Sequence, residues 1–238
     1  MRDRIIVALD QPDLATALTC ARALAGHARW VKIGMTLFYG EGPAAVAAVR
    51  ELGFDVFVDL KLHDIPHQVE GAARALGGLG AGMLTVHASG GSAMIEAAVR
   101  GAAEGAAASA LPAPAVIAVT VLTSIDAETL RSVGVTDEPA EQAAGLAALA
   151  KTAGAAGVVC SPQEAADLRA LLGPHALVVT PGVRPAGSEA DDQSRIATPA
   201  SAFAAGASHI VIGRPVTGAP DPAAAFEAIV RDLEEPRA

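Results

Sequence analysis

Eight short β-rich runs, each followed by a segment of helical character, recur along the chain, and this alternation limits the possible folds more than any other feature. The runs are 5-IIVALD-10, 30-WVKIGM-35, 55-DVFVDLKL-62, 83-MLTVHA-88, 115-AVIAVTVL-122, 157-GVVC-160, 176-ALVVTPGV-183 and 209-HIVIGR-214. Strands alternating with helices pair in parallel through crossover connections. Eight such units in 238 residues predict an α/β protein, a (β/α)8 TIM barrel forming a single domain over residues 1–238. Most runs are near-continuous Val, Ile and Leu, as strands buried on both faces require. Between them, 43-PAAVAAVREL-52 and 161-SPQEAADLRALL-172 read as helices, the second opened by Ser161 as N-cap with Pro162 behind it. The stretch 101-GAAEGAAASALPAPA-115 reads as a helix end and a Pro-containing connection rather than as low complexity.

Polar residues collect toward the carboxyl ends of these runs, the end where barrel enzymes keep their chemistry. They include Asp10, Lys32, Asp59, Lys61, His87, Thr123 and Arg214. The densest group is 59-DLKLHDIP-66. On a strand, Asp59 and Lys61 point the same way. At a surface this would be an ordinary ion pair. In a closed barrel interior the lysine would be desolvated between Asp59 and Asp64, and such groups mark functional sites. An ammonium there can supply a proton to a developing carbanion, while a carboxylate orients it or destabilises a reacting anion. Lys32, on the neighbouring strand, is expected to hydrogen-bond Asp59 and hold the array, and Asp10 offers an acceptor suited to a sugar hydroxyl.

The chain carries 17 Lys and Arg, yet its only lysines are Lys32, Lys61 and Lys151. With arginine serving as the generic cation, a lysine kept inside an apolar run points to a need for a compact or titratable amine. The formal charge of −9 with few aromatics argues against a nucleic-acid surface. Any anionic ligand must therefore meet locally placed cations.

Such cations stand after runs seven and eight, where barrels commonly bind phosphate. In 180-TPGVRP-185 and 211-VIGRPV-216, glycines admit backbone N–H groups to a phosphate, and Arg184 and Arg214 offer charge-assisted contacts beside Gly213. The polar segment 184-RPAGSEADDQSRIATP-199 between them is long for such a loop and reads as a lid, with Gln193 able to touch both phosphate and base, and Asp191, Asp192 and Arg195 facing solvent. Thr123 is placed to hydrogen-bond a ligand amide, whereas Ser124 reads as N-cap of a helix over 126-DAETLRSV-133. His63, His67 and His87 have no catalytic partner in sequence. Cys20 and Cys160 read as small buried apolar residues of a reducing compartment. No cluster has metal-ligand spacing, and neither a secretory leader nor a membrane span is visible. The expected setting is cytoplasmic.

The residues 7-VALD-10, 31-VKIG-34, 58-VDLKLHDIP-66, 119-VTVLTS-124, 181-PGVRP-185, Asp192-Gln193 and 212-IGRPV-216, in this order, resemble the orotidine 5′-monophosphate decarboxylase family along nearly the whole chain. The resemblance implies decarboxylation of orotidine 5′-monophosphate to uridine 5′-monophosphate, the last step of de novo pyrimidine biosynthesis, with no cofactor and no metal. It implies that Lys61 protonates the vinyl carbanion at pyrimidine C6 and that Asp59 sits near the substrate carboxylate. Asp64 completes the array across the interface of a homodimer, Lys32 pairs with Asp59 and the ribose, and Asp10 binds ribose. Ile65 and Thr123 line the substrate, Gln193 closes onto base and phosphate, and Arg184, Gly213 and Arg214 grip the phosphate. Two other readings compete. Magnesium-dependent sugar-phosphate barrels share the D-x-K-x-x-D core but want a carboxylate where this chain has Lys32. A non-catalytic nucleotide-binding barrel would have no need of Lys61 between two acids.

Overall fold

The structure, a computed structural model, describes residues 1–185 and 197–234. Its strands are β1 (Ile5–Leu9), β2 (Trp30–Gly34), β3 (Asp55–Leu62), β4 (Met83–His87), β5 (Ala115–Val119), β6 (Gly157–Val159), β7 (Leu177–Thr180) and β8 (His209–Ile212). They pair in parallel in chain order, and β1 closes onto β8 with Ile5 opposite Ile210 and Val7 opposite Ile212. The expected eight-stranded barrel is therefore what the chain forms.

Alternation along each strand separates two apolar populations. Ile5, Val7, Leu9, Val31, Ile33, Val56 and Val58 face outward into the main core beneath the helices. Ile6, Ala8, Phe57, Met83, Ile117, Val179 and Val211 face inward and plug the barrel. By the same parity, Lys32, Asp59, Thr85 and His87 point into the barrel above this plug. The plug closes the amino-terminal end and leaves the carboxyl end open.

Local chemistry starts several helices. Asp13 caps Leu14–Leu24 by accepting the Thr16 N–H at 2.8 Å, and Glu138 with Glu141 forms a capping box for Pro139–Thr152. Residues 101–108 do end a helix, Ser92–Ala108. Gly101 and Gly105 allow it to lie directly on the helix Pro66–Gly78, since a Cβ would come within 2.2 Å of the Glu70 carbonyl oxygen or 1.9 Å of that of Arg74.

Two expected caps are corrected. The helix anticipated from Ser161 begins at Ala165, because Ser161 and Glu164 close a turn first: the Glu164 carboxylate accepts the Ser161 N–H at 3.1 Å and the Ser161 hydroxyl accepts the Gln163 N–H at 3.2 Å. Asp126, not Ser124, caps Ala127–Ser132 by accepting the Thr129 N–H at 2.8 Å. Among the described residues no helix is long and apolar enough to cross a membrane.

At the closed end, His209 packs edge-on against Trp30, ring centroids 6.1 Å apart, with its Nδ1 buried and without a hydrogen-bond partner. Burial, aided by the positive charges of Arg4 and Arg29, lowers its pKa to about 4. Because the folded form resists protonation while the unfolded chain protonates near the ordinary imidazole value, this contribution to stability is present above that value and fades as pH falls. Between pH 7 and pH 5 the loss is roughly 2 kcal/mol. Unfolding of wild-type protein and His209→Phe at the two pH values should show a pH dependence smaller in the variant by that amount. Equal pH dependence would mean that His209 is not held neutral.

Candidate active site

The open end of the barrel holds a two-lobed cavity. One lobe, about 630 Å³, is bounded by Asp10, Gln11, Lys32, Arg184, Gly213 and Arg214, and the other, about 310 Å³, by Lys61, Val121, Thr123, Ser124 and Cys160. Lys32 and Asp59 line both lobes and so stand where they meet.

Asp59 is the centre of the charged group. The Lys61 ammonium lies 2.9 Å from each of its carboxylate oxygens, and the Thr85 hydroxyl donates to Oδ1 at 2.9 Å. Burial would raise the Asp59 pKa, but the charges of Lys61 and Lys32 and the hydrogen bonds from Lys61 and Thr85 outweigh it, so the carboxyl is held below its ordinary value. It therefore faces the Lys61 ammonium as an anion. Lys32 departs from expectation: its ammonium hydrogen-bonds Asp10 at 2.7 Å and approaches Asp59 only to 3.8 Å, too far for a hydrogen bond. Gly34 makes room for this pair, since a Cβ there would meet the Asp10 carboxylate at 2.7 Å and the Lys32 ammonium at 2.9 Å.

The backbone beneath Lys61 is irregular. From Val58 to Leu62, β3 advances four residues while its partner β4 advances two, Leu84 to Val86. Lys61 takes up the excess with φ 52°, in the left-handed region, a conformation costing roughly 1–3 kcal/mol for a residue with a side chain and concentrated at functional sites. Its N–H, displaced from the ladder, is donated to the Thr85 hydroxyl at 2.9 Å.

Asp64 does not join this group within the chain. It is exposed, its carboxylate accepts the Ile65 N–H at 2.7 Å, and no cation among the described residues lies within ion-pair distance of it. Ile65 is 64% exposed beside it, and Met35 and Tyr39, which follow β2, are exposed as well. Thr123 lies four residues beyond the end of β5, because that strand stops at Val119 rather than at Leu122. Arg184 is buried, its N–H donated to the Ala197 carbonyl oxygen at 2.9 Å. Gln193 lies outside the described residues, as do Asp191, Asp192 and Arg195. His87 packs against His63 with ring centroids 5.3 Å apart; burial, then His63 and Lys61, lower its pKa against the opposing charge of Asp59. Both cysteines are buried, and burial pushes the Cys160 thiol up. Among the described residues no group of three His, Cys, Asp or Glu could hold a metal ion.

Thr85 and Gln11 escaped the sequence reading. The signal for Thr85 was present, a hydroxyl at an inward position of an otherwise apolar strand; Gln11 had no cue beyond standing next to Asp10.

Comparison with known proteins supplies an independent line. The model of the family described as orotidine 5′-phosphate decarboxylase / HUMPS matches residues 3–229. Orotidine 5′-phosphate decarboxylase of Moorella thermoacetica is 54% identical over 234 residues, 98% of this chain and 93% of that protein. The enzyme of the same name from Anaeromyxobacter sp. (strain K) is 54% identical over 97% of this chain and 98% of its own. The crystal structure of orotidine 5′-phosphate decarboxylase from Lactobacillus acidophilus superposes with a TM-score of 0.86 at 41% identity, over 99% of this chain and all of that one.

Proposed function

Since the chain belongs to the orotidine 5′-phosphate decarboxylase / HUMPS family, we propose how its own residues carry out the reaction. The enzyme removes carbon dioxide from orotidine 5′-monophosphate and leaves uridine 5′-monophosphate, a step of pyrimidine biosynthesis. The observation that carries the mechanism is the Lys61 ammonium held 2.9 Å from both oxygens of an anionic Asp59 at the junction of the two lobes.

The larger lobe takes the ribose phosphate. Arg184 and Arg214 meet the phosphate with Gly213, where an added Cβ would touch only Ala8 at 3.6 Å, so that no protein neighbour demands the glycine and an approaching ligand would. Asp10 and Lys32 take the ribose hydroxyls, and Gln193 covers base and phosphate. The smaller lobe takes the pyrimidine against Thr123, with C6 toward Lys61. The C6–carboxylate bond breaks and its electron pair stays on C6. Lys61 then gives C6 a proton and is left as a neutral amine that solvent recharges. Its fixed positive charge stabilises the carbanion before the transfer, and Asp59 keeps the ammonium aimed. Binding energy from the remote phosphate drives closure around the reacting carbon.

The protein acts as a homodimer in which Asp64 and Ile65 of each subunit complete the other's site. The support is that Asp64 has no ion-pair partner among the described residues and stands beside exposed Ile65, Met35 and Tyr39. The reaction needs no metal, because the Lys32 ammonium occupies the place where a magnesium-dependent relative wants an anion. Free buried thiols and a small-molecule substrate suit a cytoplasmic setting.

The test is the absorbance change of orotidine 5′-monophosphate on adding purified protein with a chelator present. Undiminished turnover is expected. Activity that requires magnesium would sink the metal-free reading, and uridine 5′-monophosphate binding without turnover would favour a binding protein instead.

A further inference from the structure

We propose that Thr85 is a positioning residue for the decarboxylation, its one hydroxyl holding the Lys61 backbone in its left-handed turn and aiming Asp59 at the Lys61 ammonium. The inference rests on the role proposed for Lys61. Thr85 is fully buried in the middle of β4, on the inward side it shares with Met83 and His87. Its oxygen accepts the Lys61 N–H at 2.9 Å and its proton goes to Asp59 Oδ1 at 2.9 Å.

These two bonds use the hydroxyl in complementary ways. Lys61 has lost its strand partner to the irregularity in β3, and the threonine oxygen stands in for a ladder carbonyl. The bond to Asp59 fixes the carboxylate rotation, so both of its oxygens reach the ammonium. Valine has the same shape but neither donor nor acceptor, so an N–H and a carboxylate oxygen in a buried site would each lose a partner. They recover only if residues 59–61 move, and displacement of a proton donor by a fraction of an ångström is costly to the chemical step while binding at the phosphate end is untouched. Serine keeps both bonds.

The experiment compares Thr85→Val, Thr85→Ser and Lys61→Ala with wild-type protein in kcat, KM, uridine 5′-monophosphate affinity and the pH dependence of kcat. In Thr85→Val, kcat should fall about 30-fold while KM and nucleotide affinity stay within about threefold. Its acid limb should move to higher pH, since Asp59, still faced by Lys61 and Lys32, loses a donor that favours its charged form. Thr85→Ser should stay within about threefold of wild type throughout. If the valine protein fails to fold, Thr85→Cys, a weak donor and acceptor, replaces it with the same loss in kcat alone expected. Unchanged kcat in the hydroxyl-free protein, or equal damage to kcat and nucleotide binding that serine does not repair, overturns the proposal. An active Lys61→Ala protein would overturn the Lys61 reading itself, whereas an inactive one beside an unaffected valine variant would remove only Thr85.

Discussion

Lys61→Ala is expected to lower kcat on orotidine 5′-monophosphate on the order of 10⁵-fold, combining the loss of a general acid with the loss of a fixed charge facing the carbanion. Uridine 5′-monophosphate should still bind within about tenfold of wild type, because the contacts proposed for its phosphate and ribose lie in the other lobe and product carries no carboxylate for the ammonium to meet. A decisive companion is Lys61→Arg. Arginine restores positive charge but holds its proton too tightly to deliver it and presents a broad fork in place of a compact ammonium. It should leave kcat as low as alanine does. An active arginine protein would mean that charge alone suffices and that the proton comes from elsewhere; an active alanine protein would remove the amine from the mechanism altogether.

The second large effect concerns the carboxylate that stands apart. Asp64→Ala should be nearly inactive, by a factor on the order of 10³, if its anion completes a neighbour's site and holds the Lys61 ammonium from the far side. Mixed in equal amounts with Lys61→Ala and allowed to exchange subunits, it should regain about a quarter of wild-type activity per site, since half of the dimers are mixed and each mixed dimer has one site with both groups intact. The readout is turnover in the mixture against either variant alone, with exchange verified by mass spectrometry. Two inactive proteins that exchange subunits and stay inactive would place Asp64 in the site of its own chain or outside catalysis.

The barrel was legible because its strands are nearly unbroken Val and Ile between Ala-rich helices. Their ends were less so. Thr120, Val121 and Leu122 have strand-like side chains, yet β5 stops at Val119 and leaves Thr123 on a loop. The three residues Pro181 to Val183 likewise read as strand, but β7 stops at Thr180 and Val183 pairs only in an isolated bridge with Ala197. Side-chain identity reports apolar burial there, not the presence of a hydrogen-bonding neighbour. At the site, the grouping of Asp59, Lys61, Lys32, Asp10, Arg184, Gly213 and Arg214 around one cavity followed from their shared place toward and just past the carboxyl ends of the strands. The hydrogen-bond partner of Lys32 did not, because choosing Asp10 over Asp59, which keeps only the longer ion pair, depends on ångström-scale strand spacing. Nor did the irregularity at Lys61, since Asp-Leu-Lys contains neither glycine nor proline and has the period of an ordinary strand.

That irregularity also bears on how such a site can change over evolutionary time. Residues 59–61 are absent from the β3–β4 register, which resumes only at Leu62. Barrel closure on that side is therefore carried by Phe57, Val58 and Leu62, while Asp59 is tied to the sheet only through Gly34 of β2 and Lys61 sits on a short detour that the β3–β4 ladder does not need. Substitutions at Lys61 can therefore alter what the barrel catalyses with little consequence for the β3–β4 pairing, so one scaffold can be retuned to new chemistry at the detour itself.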